Sequence, residues 1–191
     1  MKKICVFAGS NPGANPEFEQ SAVHLGRVLA EQNIELVYGG SKIGLMGSIA
    51  DSVLKSGGKV TGVMPKNLFK REIIHPLVTE FHETETMHER KALMSELADG
   101  YIALPGGIGT FEELFEVMCW AQIGIHKKPI GALNVLNYYD PVSELIKKAA
   151  TAGFMPQANV DLLIIEKQPE MLLEKMLNQN KGMWSEEEVD L

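Results

Sequence analysis

A short glycine-rich stretch, Pro105-Gly106-Gly107-Ile108-Gly109-Thr110-Phe111-Glu112-Glu113, contains the residues best suited to chemistry. It follows an apolar run at 100–104 that predicts a buried strand, and it precedes a helical pattern that begins at Phe111. Glycines let a backbone turn sharply and approach a ligand closely. The unpaired N–H groups at a helix N-terminus favour an anion. The stretch therefore predicts a phosphate site, with the Glu113 carboxylate one turn into the helix and within reach of whatever carries the phosphate.

The same residues also have a purely structural interpretation. Thr110-x-x-Glu113 matches a capping box, in which the threonine hydroxyl and the glutamate carboxylate satisfy helix N–H groups. Glycine-rich turns between a strand and a helix also occur without a ligand. This stretch alone leaves both alternatives open.

Two other predicted strands end in small residues of the same kind. The first strand is followed by Ala8-Gly9-Ser10-Asn11-Pro12-Gly13, and the strand at 35–38 is followed by Gly39-Gly40-Ser41-Lys42-Ile43-Gly44-Leu45-Met46-Gly47. In an open α/β sheet, ligands bind at the carboxyl ends of the strands, where the strand order reverses. Three such turns at one edge favour a ligand site there. We expect it to include Gly9, Ser10, Gly40 and Ser41.

An arginine in the segment Met87-His88-Glu89-Arg90-Lys91 is a second candidate for chemistry. The segment opens a predicted helix that runs to about Ala98, and Arg90 shares one helix face with Met87, Met94 and Leu97. A buried charge without a partner is very costly. Arg90 should therefore meet a carboxylate in a structural ion pair or an anionic ligand, unless its guanidinium reaches solvent at the edge of the apolar face.

Strands and helices alternate along the chain, which predicts an α/β fold with a doubly wound, mostly parallel, Rossmann-like sheet and helices on both faces. The 191 residues suit a single domain, 1–191, with an acidic C-terminal tail from about 181 that we expect to be loosely held. The irregular segment 65–77 is predicted to form a flap near the site. Predicted strands lie near 3–8, 35–38, 59–64, 78–83, 100–104, 129–134 and 161–165, and predicted helices near 16–31, 45–56, 87–98, 111–122, 141–152 and 169–178.

Composition excludes several classes of function. The net charge of −7 and the lack of a Lys/Arg stripe disfavour a nucleic acid partner. No apolar run approaches the 18 residues of a membrane span. The five histidines show no ligand spacing, so no metal site is expected. Cys5 and Cys119 show neither metal nor redox spacing, so we expect both to be small buried hydrophobes in a reducing compartment, which indicates a cytoplasmic location.

Two familiar nucleotide motifs do not fit. A nicotinamide site needs Gly-x-Gly-x-x-Gly after the first strand and an acid at the end of the second, whereas the first turn here is Gly9-Ser10-Asn11-Pro12-Gly13 and the second strand ends at Tyr38. A P-loop needs a Gly-Lys-Ser/Thr ending, which neither large glycine turn has. A Rossmann-like fold that binds the phosphate of a mononucleotide remains.

The motifs around 39–47, 87–91 and 105–113 together resemble the LOG family, cytokinin-activating phosphoribohydrolases long mislabelled as lysine decarboxylases. The resemblance runs from Ile4 to about Leu173. It implies hydrolysis of the N-glycosidic bond of a purine nucleoside 5′-monophosphate, AMP or N6-modified AMP, to a free base and ribose 5-phosphate without a cofactor. The family's catalytic pair carries over to Arg90 and Glu113, and its phosphate site to Gly107, Gly109 and Thr110. We further expect substrate contacts from Met87, Lys91, Pro105 and Gly106.

The implied chemistry suits these residue types. Loss of a purine from ribose passes through an oxocarbenium-like state, which a carboxylate such as Glu113 can stabilise while it orients or deprotonates water. Arg90 is a poor general acid because its pKa is too high, so its role is positioning and electrostatics. The proton for the leaving base must then come from elsewhere, and solvent is one source.

Other functions use the same residues differently. A decarboxylase would need a Schiff-base lysine for pyridoxal phosphate. Lys91 lies beside Arg90 at a charged helix start, and no separate lysine stands out, so we reject that function. A non-catalytic carrier or sensor of a nucleotide or phosphorylated cofactor would use the same phosphate site without turnover. The identity of the base stays open.

The resemblance also implies a homodimer, because LOG proteins are commonly dimers that share site walls. The predicted helices 87–98 and 111–122 carry more apolar residues than one sheet face needs. These residues are Leu93, Met94, Leu97, Phe115, Met118 and Trp120. The alternative is that they fill the core.

Overall fold

Strands and helices alternate in the computed structural model, which describes residues 1–68 and 73–185. The strands are β1 (Lys3–Phe7), β2 (Glu35–Tyr38), β3 (Val60–Pro65), β4 (Glu80–Thr84), β5 (Gly100–Ala103), β6 (Ile130–Leu133) and β7 (Leu163–Glu166). The helices are α1 (Pro16–Glu31), α2 (Gly44–Lys55), α3 (Met87–Leu97), α4 (Ile108–Gln122), α5 (Asp140–Thr151) and α6 (Pro169–Ser185). The sheet has seven strands in the order β4-β3-β2-β1-β5-β6-β7, and all of these strands pair in parallel. The predicted doubly wound α/β fold is confirmed.

Strand β1 lies where the strand order reverses. Ile4 is in register with Leu36 of β2 on one side and with Gly100 of β5 on the other. The turns after β1 and β5 therefore begin next to each other, and the Gly9 amide donates to the Pro105 carbonyl at 3.1 Å. This is the crevice in which doubly wound sheets bind their ligands.

Two apolar layers cover the two faces of the sheet. Alternate residues of a strand point to opposite faces, so Ile4 and Val6 of β1 join one buried cluster while Cys5 and Phe7 join the other. The first cluster packs against α1, α2 and α6, and the second against α3, α4 and α5. Burial on both faces is the reason why the strands are continuously apolar.

Two helices differ from the prediction. Helix α4 begins at Ile108 rather than Phe111, with Gly107 as its N-cap residue. Helix α6 continues to Ser185 rather than ending near 178. Residues 186–191 of the predicted tail and residues 69–72 of the predicted flap lie outside the described residues. In the rest of the flap, the His75 amide donates to the Gly40 carbonyl at 2.9 Å and the Lys42 amide donates to the Ile73 carbonyl at 2.9 Å.

Candidate functional site

The turn between β5 and α4, residues 105–110, is called the phosphate loop below. Its helix has no side-chain hydrogen bond at the N-cap residue Gly107. The first N–H groups of an α-helix have no partner within the helix. A Cβ atom built on Gly107 or on Gly109 would meet no atom within 4 Å, so both glycines face open space. The loop therefore presents uncapped N–H groups to a space that the chain itself does not fill, which suits an anion.

The capping-box alternative for Thr110 and Glu113 is wrong. Because α4 begins at Ile108, Thr110 lies inside the first turn rather than before it. Thr110 is buried, and its hydroxyl is so close to Gly106 that a Cβ atom there would lie 2.1 Å from Oγ1. The Glu113 carboxylate instead bonds to Arg90. A threonine cap does occur at the start of α3, where the Glu89 amide donates to the Thr86 hydroxyl at 3.1 Å.

Arg90 and Glu113 form an ion pair between α3 and α4. Arg90 Nη1 lies 2.9 Å from Glu113 Oε1, and the two side chains are only 10% and 12% exposed. Arg90 Nε also donates to the Val63 carbonyl at the end of β3, at 3.2 Å. Arg90 was predicted to be buried with a partner, and its partner is the carboxylate of Glu113, the residue predicted to be catalytic.

The second glycine turn makes room for this arginine. A Cβ atom built on Gly39 would lie 2.3 Å from Arg90 Nη2. Only glycine leaves the guanidinium space to reach Glu113 in this position. Gly39 was not among the predicted site residues, and its contact with Arg90 depends on the packing of α3 over the ends of β2 and β3.

Burial raises the pKa of the Glu113 carboxyl above its usual value. The Arg90 guanidinium acts in the opposite direction, through its charge and its hydrogen bond, and offsets part of this effect. A carboxylate with a raised pKa is a stronger base toward water than an exposed glutamate. The site thus holds a cation and a basic carboxylate in a partly dry setting, which suits stabilisation of positive charge on a sugar.

Lys91 also contacts α4, although through other carboxylates. Its ammonium group lies 2.5 Å from Glu112 Oε1 and 2.8 Å from Glu116 Oε1. Burial by itself would lower the Lys91 pKa, but the hydrogen bonds to Glu112 and Glu116 outweigh burial and raise it. These two ion pairs join the helices that carry Arg90 and Glu113. The predicted substrate contact of Lys91 stays a prediction.

The predicted residues of the second turn are packed within the chain. Gly40 has a φ of +79°, in the left-handed region that favours glycine. Ser41 is fully buried, and its hydroxyl accepts a long hydrogen bond of 3.4 Å from the Ile43 amide. By contrast, Met87 at the start of α3 is 42% exposed. The predicted substrate contacts of Gly40 and Ser41 stay predictions.

A pocket of about 210 Å³ lies between the phosphate loop and the turn after β1. Its lining includes the predicted residues Gly9, Ser10, Pro105, Gly106 and Gly107. It also includes three side chains that sequence reasoning missed, Phe18, Leu45 and Tyr138. The pair Tyr138-Tyr139 directly follows the turn after β6, so the rule that ligands bind at strand ends could have singled it out.

Two further findings concern metal binding and membrane insertion. Among residues 1–68 and 73–185, no group of three or more His, Cys, Asp or Glu side chains is arranged to hold a metal ion. No helix in this described part of the chain is both long and apolar enough to cross a membrane.

Comparisons with known proteins show the family to which the chain belongs. The family model described as "Possible lysine decarboxylase" matches residues 46–176. The chain is 45% identical over 176 residues to the probable cytokinin riboside 5′-monophosphate phosphoribohydrolase LOGL2 of Oryza sativa subsp. japonica, which covers 92% of this chain and 72% of that protein. It is 49% identical over 155 residues to the cytokinin riboside 5′-monophosphate phosphoribohydrolase LOG7 of Arabidopsis thaliana, with coverage of 81% and 71%.

A solved structure shares the fold. The molybdenum cofactor binding protein from the phototrophic bacterium Rippkaea orientalis aligns with a TM-score of 0.69, covering 93% of this chain and 97% of that one. The sequence identity is 22%, so this likeness concerns the fold alone. The curated relatives are far closer in sequence, and their alignments include both the Arg90 segment and the phosphate loop within the matched family region. On these matches, the chain belongs to the LOG family, whose curated members are named cytokinin riboside 5′-monophosphate phosphoribohydrolases.

Proposed function

We propose that this protein hydrolyses the N-glycosidic bond of a purine nucleoside 5′-monophosphate, AMP or N6-modified AMP, and releases the free base and ribose 5-phosphate. The observation that carries the proposal is the buried Arg90–Glu113 pair, 2.9 Å apart, in which Arg90 of α3 meets Glu113 of α4, the helix whose N-terminus is the open phosphate loop. The names of the curated relatives state the same reaction for cytokinin riboside monophosphates.

The spacing along α4 supports a nucleotide as the substrate. Glu113 lies five positions after Ile108, the first residue of α4. At 1.5 Å per residue this places the Cα atom of Glu113 roughly 7.5 Å along the axis from that of Ile108, and the side chain tilts back toward the helix N-terminus. A phosphate bound by the loop would thus leave the ribose, and its anomeric carbon, on the side of Glu113. Remote binding of the phosphate can also supply energy for distortion at the reacting bond.

The reaction follows from these positions. The bond between the anomeric carbon and the base nitrogen breaks, and its electron pair leaves with the base while positive charge grows on the sugar. The Glu113 carboxylate stabilises that charge and takes a proton from water as the water oxygen bonds to the anomeric carbon. The base takes its proton from solvent. Arg90 stays protonated throughout, so it holds Glu113 and offers charge to the phosphate or ribose rather than acting as an acid.

The first test compares AMP with adenosine. AMP should raise the melting temperature and be converted to adenine, because the phosphate loop binds the 5′-phosphate, whereas adenosine should do neither well. Free adenine is measured by chromatography. Equal turnover of both compounds would refute the role of the phosphate. Binding of AMP with no adenine release would instead support a carrier or sensor.

The second test separates Arg90 from Glu113. Glu113→Gln should lower kcat by about 10²-fold or more, the scale of a positioned base, and leave AMP binding intact because the loop amides are unchanged. Arg90→Ala should abolish turnover and also weaken AMP binding, because a charge-assisted contact is lost. Near-normal adenine release by Glu113→Gln would end the catalytic assignment.

The pH profile gives an independent check of Glu113. The active form is the carboxylate, and burial raises the pKa of this group. Activity should therefore fall as the pH drops through a value above the ordinary glutamate pKa. The residual activity of Glu113→Gln should lack this acidic limb. If activity fell at the same acidic pH in the wild type and in Glu113→Gln, the titrating group would be a residue other than Glu113.

We also propose a homodimer that associates through α4 and α5. Of the apolar residues that predicted it, Met94 and Met118 are buried and Leu93, Leu97 and Trp120 are partly buried, so these fill the core, as the alternative held. A hollow of about 210 Å³ lined by Phe115, Leu145 and Met155 lies between these elements. Phe115 of α4 remains 38% exposed, and Leu145 of α5, which lines the same hollow, is 58% exposed. Phe154, which directly precedes Met155 of that hollow in the sequence, is 85% exposed. An apolar surface of this kind fits a second copy.

The dimer is tested by light scattering at micromolar protein. The wild type should have twice the mass of one chain, and the double variant Leu145→Glu with Phe154→Glu should have the mass of one chain, because charges would be buried in the interface. Val23→Glu, which changes a 44% exposed residue on α1, is the matched control and should stay dimeric. A wild type with the mass of one chain would refute the proposal.

A cytoplasmic location is part of the same proposal. Cys5 and Cys119 are both free thiols; Cys5 is buried as predicted, whereas Cys119 is exposed, so its predicted burial is wrong. An exposed free thiol suits a reducing compartment. Cell fractionation with an antibody to the protein would test the location, and recovery in a membrane or extracellular fraction would contradict it.

A further inference from the structure

Two neighbouring tyrosines hold the backbone that enters the phosphate loop. The Tyr139 hydroxyl donates to the Leu104 carbonyl at 2.7 Å, and the Tyr138 hydroxyl donates to the Gly106 carbonyl at 2.5 Å. Between them, the Pro105 carbonyl accepts from the Gly9 amide. Three successive carbonyls at the start of the loop thus have fixed partners.

The two tyrosine contacts have different consequences, because a peptide group is planar. Fixing the Gly106 carbonyl also fixes the direction of the Gly107 N–H in the same peptide plane. Fixing the Leu104 carbonyl orients no N–H, since the next residue is Pro105. Of the two tyrosine contacts, only that of Tyr138 therefore orients an amide of the phosphate loop.

The segment that carries the tyrosines is held in an unusual backbone conformation. Leu136 and Asn137 have φ values of +51° and +62°, which non-glycine residues rarely adopt. The Asn134 side chain accepts from the Tyr139 amide at 2.7 Å and donates to the Asp140 carboxylate at 2.7 Å. Such conformations persist only where the surroundings over-determine them, and they cluster at functional sites.

The ring of Tyr138 is also fixed from two sides. It stacks on Phe111 of α4 with ring centres 6.1 Å apart and an angle of 15° between the rings, and it meets Phe18 edge-on at 5.9 Å. Tyr138 is half-buried and lines the 210 Å³ pocket beside Gly106 and Gly107, whereas Tyr139 is fully buried. These contacts position the Tyr138 hydroxyl without requiring its hydrogen bond.

We propose that Tyr138 is a positioning residue for the 5′-phosphate: its hydroxyl orients the Gly106–Gly107 peptide so that the Gly107 N–H is held ready for the anion. This inference rests on the proposed function, because it assigns the phosphate of that substrate to the loop. Donors that are already oriented before the ligand arrives bind it without the cost of ordering them. Loss of the hydroxyl should therefore weaken phosphate binding more than it slows the bond cleavage at Glu113.

The test compares Tyr138→Phe with Tyr139→Phe. Both variants lose one hydroxyl that donates to a backbone carbonyl, and the Tyr138→Phe ring keeps its stacking on Phe111, so the fold is retained. For Tyr138→Phe we expect the KM for AMP to rise by about fivefold to tenfold, the worth of one hydrogen bond, with kcat within about twofold of the wild type. The dissociation constant for ribose 5-phosphate should rise by the same factor. Tyr139→Phe should lower Tm and leave both constants unchanged.

Each outcome decides the inference. Wild-type KM and wild-type affinity for ribose 5-phosphate in Tyr138→Phe would overturn it, and so would a lower Tm with unchanged binding, which marks a merely structural hydroxyl. Ribose 5-phosphate binding needs no turnover. If the wild type released no adenine, the proposed function would fail while the binding comparison would still judge Tyr138.

Discussion

The second glycine turn, taken with the first residues of α2 (39–47), and the phosphate loop (105–110) lie at the same edge of the sheet and are both rich in glycine, but some of their glycines face different surroundings. In the second turn, a Cβ atom on Gly39 would lie 2.3 Å from the Arg90 guanidinium, and one on Gly47 would lie 2.0 Å from the Lys42 carbonyl oxygen. In the phosphate loop, a Cβ atom on Gly107 or Gly109 would meet nothing within 4 Å. Gly39 and Gly47 are thus required where the chain packs against itself, whereas Gly107 and Gly109 of the phosphate loop leave room for something that the chain does not supply.

Gly47→Ala should have the largest effect on stability. The new methyl group would overlap the backbone of Lys42, which has no flexible end that could move aside. We expect a loss of about 3 kcal/mol, at the upper end of ordinary overpacking, and a Tm lower by roughly 6–12 °C. Thermal unfolding measures it. A loss below about 1 kcal/mol, within the range of a surface substitution, would show that the second turn is not tightly packed.

Gly39→Ala should damage catalysis more than stability. The methyl group would displace the end of the Arg90 side chain, which can move at small cost to the fold but then leaves Glu113. A displacement of about 1 Å at a reacting group can cost about 10²-fold in rate, and we expect kcat to fall on that scale. Adenine release at saturating AMP gives kcat, and thermal unfolding gives the control. An unchanged kcat would show that Gly39 does not control the proposed catalytic pair, Arg90 and Glu113.

Gly107→Ala should affect only the ligand. Gly107 has a φ of −92°, which alanine adopts readily, and its Cβ would face open space. The methyl group should crowd the phosphate and raise the KM for AMP by about fivefold to tenfold, while stability changes by less than about 0.5 kcal/mol. A large loss of stability with an unchanged KM would reverse the contrast between the two turns.

Gly109→Ala is the smallest and most diagnostic change. Gly109 lies in the first turn of α4, where alanine is a better helix residue than glycine. We expect a gain of roughly 0.5–1 kcal/mol in stability together with weaker binding of AMP. Thermal unfolding with and without AMP measures both effects. A variant that is more stable and binds AMP normally would contradict a role of Gly109 in phosphate binding.

Much of the fold was predictable because its signals are local. Helix α1 has its predicted bounds, since Asn15 caps it by accepting from the Glu17 amide at 2.9 Å and Pro16 suits the first helical position. The predicted start of α4 was three residues too late, because here the local signal is misleading. Its cap residue is a glycine without a side chain, and Thr110 inside the first turn resembles a cap.

The site was less predictable than the fold because its contacts join distant segments. The sequence left two partners for Arg90, a carboxylate or a ligand, and the choice of Glu113 depends on how α3 and α4 pack over β1 and β5. The hydrogen bond from Tyr138 to Gly106 depends on the backbone conformation just before Tyr138. There Leu136 and Asn137 have positive φ values, which their residue types do not predict. Only the three-dimensional packing specifies such contacts.

The central position of β1 has a consequence for how the protein responds to its ligand. One neighbour of β1, the strand β2, belongs to the first quarter of the chain, whereas the other, β5, follows the middle. Gly39 lies beyond β2 and the phosphate loop lies beyond β5, so a partly folded chain that has paired only one side of β1 lacks half of the site. If the nucleotide binds at this site, we expect it to bind only when both halves of the sheet have paired with β1. The free energy of binding should then add to the free energy of opening the whole sheet, so amide hydrogen exchange in β2 and in β6 should slow together when the nucleotide is bound.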